Sequence, residues 1–142
     1  MSSEKSYNDM WEKIEINEGL VRNTLSLAKR DLKTARNVFK DGDYDWTLSI
    51  AYNAMLQACR ALMFSKGYRP KGKYKHVAVI EFMRVNFGNE FADSLLFVLN
   101  KTRKKRHIAV YEQIDIISKE EARNSIIWAT KLFKKVEKML IK

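Results

Sequence analysis

Wound into a helix, residues 44–67 (YDWTLSIAYNAMLQACRALMFSKG) leave almost no polar face. Trp46, Ile50, Ala54, Ala58, Ala61 and Leu62 cover one side, while Leu48, Tyr52, Met55 and Phe64 cover others. A helix of this kind must be covered all round, so it belongs at the centre of a bundle or beneath a partner subunit. Gly67 stands where a C-terminal cap is expected.

The flanking segments supply the cover. Asn17 can cap a first long helix, in which Val21, Leu25, Ala28, Leu32, Ala35 and Phe39 fall at steps of four and three along one apolar stripe. Asp41-Gly42-Asp43 ends it, and the trio Asp41, Asp43 and Asp45 reads as a helix stop and cap. Met10, Trp11, Ile14 and Ile16 suggest a short turn or helix ahead of it. After Gly67 comes a basic loop, GYRPKGKYK, then a shorter helix from His76 to Phe87 stopped by Gly88. A further long helix is expected from about Asn89, fraying near Tyr111. Ser118 and Glu121 match a capping box, and Ala122, Ile126, Ala129, Phe133, Val136 and Leu140 repeat the four-three stripe. With five Gly and one Pro, little material is left for strands and tight turns. The expectation is an all-α, up-and-down four-helix bundle with one additional short helix, forming a single domain over residues 1–142.

The first residues carry no apolar run of the signal type, and no segment reaches the roughly 18 apolar residues of a membrane span. A cytoplasmic protein without membrane contact is expected. Cys59 lies in an apolar stretch and reads as a buried thiol. No cluster of Asp, Glu, His or Cys has metal-ligand spacing, so neither a metal nor another cofactor is expected. The net charge of +10 is unevenly spread: residues 1–46 carry 8 Lys/Arg against 9 Asp/Glu, residues 47–142 carry 19 against 8. Such asymmetry favours a polyanion, whose condensed counterions are released on neutralisation, although excess lysine also serves solubility.

Within that basic half, NKTRKKRHIAVYE (residues 100–112) holds five cations, a histidine and a tyrosine. On a helix Arg103, His107 and Tyr111 share a face, with Arg106 about 60° to one side. Guanidinium groups suit bidentate phosphate binding, and imidazole moves protons near neutral pH. Equally, cations are favoured at a solvated helix C-terminus by the dipole. Lys101, Arg103, Lys104 and Lys105 are candidate nucleic-acid contacts. Arg69, Lys71, Lys73 and Lys75, interleaved with Tyr68 and Tyr74, form a second set suited to single strands, where backbone neutralisation and base stacking combine.

The order of these features resembles the HEPN domain (higher eukaryotes and prokaryotes nucleotide-binding) over roughly residues 20–140. The resemblance is carried by LAKRDLKTARNVFKDGDYDWTLSIAYNAMLQACRALMFSKGYRP, by KHVAVIEF after the basic connection, and by ISKEEARNSIIWATKLFKKV after the arginine-containing stretch. It implies a nucleic-acid- or nucleotide-binding module acting as a homodimer, the HEPN half of a toxin–antitoxin or related pair, with a minimal nucleotidyltransferase as partner. Active members resemble metal-independent ribonucleases with an Arg-polar-x-x-x-His motif. Mapped here, Arg106 takes the Arg place, His107 the polar place, and Tyr111 stands where His is expected. A phenol with a pKa of about 10 is a poor general base at neutral pH, so the motif is degenerate at that point. The candidate catalytic residues are therefore Arg106 with His107 and Tyr111.

Three functions follow from these residues: an RNA-binding module, a ribonuclease that forms a 2′,3′-cyclic phosphate, and a non-catalytic scaffold. The resemblance also implies that a partner nucleotidyltransferase attaches AMP to a motif tyrosine. Its usual position is Gln113 here, which leaves Tyr111 as the candidate acceptor.

Overall fold

The computed structural model describes residues 9–91 and 93–141. They form β1 (Trp11–Lys13), α1 (Glu18–Lys40), α2 (Tyr44–Ser65), β2 (Tyr68–Pro70), α3 (Lys75–Phe87), α4 (Asp93–Tyr111) and α5 (Lys119–Leu140). The all-α reading holds, with four long helices and the shorter α3. The expectation drawn from the first residues falls largely on residues 1–8, which lie outside the described residues. Among the described residues, no helix is long and apolar enough to cross a membrane.

α2 is the axis. Fourteen of its 22 residues are buried, and every other helix packs on it. Ala51, Ala54, Ala58 and Ala61 are fully buried, so small side chains let neighbouring backbones come close. The cover comes from the chain itself, so the apolar surface of α2 gives no support for the subunit interface considered above. Trp46, expected on a covered side, is 54% exposed, because it sits on the first turn, ahead of the stretch the other helices enclose. Cys59 is buried as expected, and burial pushes its thiol up to about 12, which keeps it protonated.

The helix boundaries follow local chemistry. Asn17 accepts from the Leu20 N–H at 3.1 Å, and Asp43 caps α2 through the Trp46 N–H at 3.2 Å. Ser118 and Glu121 form the reciprocal capping box. Asp45 does something the cap reading did not include. Its carboxylate accepts from the backbone of Asp115 and Ile117, at 2.6 and 3.1 Å, and so ties the α4–α5 loop to the start of α2. α4 begins at Asp93, later than expected, because a turn through Glu90 first delivers Phe91 into the core, edge-on to Phe87 at 6.4 Å.

One element departs from the helical expectation. β1 and β2 pair antiparallel, Trp11 opposite Pro70 and Lys13 opposite Tyr68, where a turn or helix and a plain loop were expected. Trp11 is buried edge-on to Phe82 at 5.2 Å, and Tyr68 packs on the same ring at 5.6 Å. The ribbon is the backbone pairing that brings both aromatic rings onto α3. Three-residue strands are too short to show a period-two pattern in sequence.

Candidate nucleic-acid site

The buried positions of α4 are Leu95, Leu99 and Thr102, at steps of four and three. The next step of four is Arg106. Its guanidinium is therefore turned toward α2, where Nε donates to Ser49 Oγ at 3.1 Å and the group lies 5.7 Å from the centre of the Tyr52 ring. Lys101 and Lys104, off this stripe, are exposed. Arginine is suited to the place, because its planar fork can stack on a phenol and still present N–H groups outward.

A cavity of about 410 Å³ opens between α4 and the start of α3. Lys73, Lys75, Arg103 and Arg106 bring four cations to it, His76 and His107 bring two imidazoles, and among the described residues no carboxylate lines it. α3 begins without a side-chain cap, so its first turn presents backbone N–H groups at the residues that form one wall. Uncapped N–H groups, the helix dipole and guanidinium groups all favour an anion of phosphate type. Tyr74, 69% exposed on the rim, offers a ring for stacking.

His76 is the residue that sequence reading missed. Its Nδ1 lies 3.4 Å from the Tyr52 hydroxyl, and the two rings are 5.7 Å apart. Burial, followed by the charges of Arg106, Arg60 and Arg103, holds this imidazole below its ordinary pKa. The α3 N-terminus acts in the same direction. Burial raises Tyr52 well above the usual phenol range against the opposing pull of Arg103 and Arg106, so Tyr52 stays a neutral phenol, which can accept from Nδ1–H of His76 and leave Nε2 as the basic nitrogen. The available signal was slight: His76 is one of two histidines and opens a helix directly after a basic loop. Thirty positions separate it from Arg106, and no periodicity links them.

The other candidates divide among several surfaces. Arg103 joins Arg106 at the cavity and also bonds Asn100 Oδ1 at 3.1 Å. Lys101 and Lys105 line a separate small cavity, where Lys105 pairs with Glu121 of α5 at 3.1 Å. Lys104 borders a shallow groove beside Phe97. Arg69 is paired across the ribbon with Glu12 at 2.7 Å, and Tyr68 is turned into the core, so of the two loop tyrosines only Tyr74 faces out. Tyr111 is 69% exposed, with its ring 5.0 Å from His107, and it does not line the cavity. Among the described residues, no group of three or more His, Cys, Asp or Glu is placed to hold a metal ion.

Helices wrapped on one buried helix, with an arginine-led basic motif on the fourth, define a HEPN-type bundle. The chain belongs to the HEPN domain family, whose model matches residues 21–139. It is 30% identical over 97 residues to a Methanocaldococcus jannaschii protein named "Putative toxin MJ0142". That match takes in 67% of this chain and 64% of the relative's length. The crystal structure of TT1696 from Thermus thermophilus is similar with a TM-score of 0.68 at 18% identity, covering 83% of this chain and 96% of that one, a likeness of fold.

The His76 environment sets a pH dependence of stability. The unfolded chain binds a proton near the ordinary imidazole value of about 6.5, whereas the folded chain binds it only at lower pH. Between the two values the unfolded state holds more protons, so stability falls as pH drops below about 6.5 and levels off beneath the folded value. Urea unfolding from pH 8 to pH 5 should show this fall in the wild type and a smaller one in His76→Gln. Parallel curves would mean that His76 is not held neutral by the fold.

Proposed function

We propose that the protein is a HEPN-type nucleic-acid-binding module, the toxin-side half of a two-protein system, and that it takes a phosphate of single-stranded RNA between α3 and α4. The observation that carries this reading is the cavity lined by four cations and, among the described residues, no carboxylate, with Arg106 already oriented by Ser49 and Tyr52. A generic basic face would spread its charge; here one arginine is aimed. Arg106→Ala should weaken binding of a short single-stranded RNA by about 1.5–3 kcal/mol, roughly 10- to 150-fold, the loss of an oriented charge-assisted contact. Lys104→Ala should only lower the salt slope by about one. Equal losses in an anisotropy titration would reduce the stretch to a solvated basic surface.

A second reading, metal-independent ribonuclease, is favoured by His76. A neutral imidazole in the cavity that holds Arg106 can supply the base which the degenerate motif lacks. The ribose 2′-hydroxyl gives its proton to His76 as its oxygen attacks the adjacent phosphorus. The bond to the 5′ oxygen breaks, a 2′,3′-cyclic phosphate forms, and the leaving oxygen takes a proton relayed by His107. Arg106 would neutralise the charge developing on the phosphate. His76→Gln should lower cleavage in EDTA by about 100-fold while RNA binding is kept. RNA left intact by the pure wild-type protein would leave the binding module standing alone.

Two copies acting together, which the family resemblance implies, would need an apolar contact away from α2. Phe97 on α4, 67% exposed and on the same helix as Arg103 and Arg106, is the large apolar side chain best placed for it. Light scattering at micromolar concentration should report twice the chain mass, and Phe97→Ser should shift it to monomer. A monomeric wild type would confine the site to one chain.

A further inference from the structure

On the other side of the Lys71–Lys75 turn lies a second cavity, of about 560 Å³, which shares Gly72 and Lys75 with the first. Arg60, Arg69, Lys71 and Lys75 bring four cations to it, and Glu12 is the carboxylate that lines it. Glu12 is already engaged by Arg69 at 2.7 Å. Among the described residues Arg60 has no such partner. Its Nε is buried and makes no hydrogen bond, while the guanidinium carbon lies 5.6 Å from the centre of the Phe64 ring. Buried donors are almost always satisfied, and one left without an acceptor destabilises the fold that holds it. Arg60 belongs to α2, between Cys59 and Ala61, both fully buried, so its backbone is held by the core rather than by a mobile loop.

We propose that Arg60 is the centre of a second phosphate subsite, which takes the phosphate adjoining the one held by Arg103 and Arg106 in the same single strand. The strand would cross the exposed turn at Gly72, where a φ of +87° favours glycine, and Lys75 would serve both phosphates. The electrostatic reach of Arg60 to His76, alongside that of Arg103 and Arg106, is consistent with the two cavities lying on one track. The inference rests on the first cavity being a nucleic-acid site, and the test separates the two.

The full chain is titrated with hexauridylate and with uridine 5′-monophosphate at several salt concentrations. Arg60→Met keeps the length and apolar stem of the side chain and removes the unsatisfied donor, so its melting temperature should equal or exceed that of the wild type. It should bind hexauridylate about tenfold more weakly, with the salt slope lower by about one, and bind the mononucleotide as the wild type does. Hexauridylate affinity unchanged in Arg60→Met but lost in Arg106→Ala would overturn the subsite and leave the module reading intact. Equal losses for both ligands would make Arg60 part of the first phosphate site and overturn the inference. No hexauridylate binding by the wild type would remove both. A readout independent of the variant's folding is the Arg60 Nε–H signal in 15N NMR of the wild type. Hexauridylate should shift it and the mononucleotide should not; a signal that stays in place with both overturns the subsite.

Discussion

Everything in this bundle depends on the burial of α2. A helix with apolar side chains all round has no stable place except inside, and its alanines let the surrounding helices close upon it. That requirement also decides where polar chemistry can occur. α2 carries few polar side chains, and three of them stand at the basic surface on its flanks. Ser49 receives Arg106, Tyr52 lies against both Arg106 and His76, and Arg60 stands with its Nε unpaired. The structural axis and the support of the candidate site are the same helix.

That common origin has an electrostatic consequence. Arg106 is fixed by a neutral hydroxyl and an aromatic face, neither of which consumes its charge, so the guanidinium remains available to an anion. Lys105 and Arg69, by contrast, are already matched by carboxylates. Counting cations along the chain therefore overstates the candidate site. The distinction lies in which cations have a carboxylate partner and which are held by neutral groups. His76 is held neutral first by its burial and then by the same field, because neighbouring cations disfavour a charged imidazole.

Much of this was legible in the residues. Four-three apolar stripes, Asn17, Ser118 with Glu121, and Gly67 locate the helices because helix periodicity and capping are local properties. Arg106 was singled out by the motif place that the family resemblance gave it, whereas the stripe of Leu95, Leu99 and Thr102 that leads to it is seen in the folded helix. The β1–β2 ribbon was not legible, because its strands pair across more than fifty residues and are held by the side of Phe82 that Trp11 and Tyr68 share. Asp45 looked like part of a cap, and only the folded chain shows it holding the α4–α5 loop.

The sequence by itself determined the class: an all-helical domain built on one buried helix, with a basic fourth helix and the marks of the HEPN family. Those features depend on contacts within a few turns, and their spacing records them. The tertiary structure decided which charges act together. It joined Arg106 to Ser49, Tyr52 and His76, sent Lys101 and Lys105 to another surface, left Tyr111 in solvent, and stranded Arg60 beside a second basic cavity. Side-chain partnership across helices is set by how buried surfaces pack against one another, and no linear spacing encodes it.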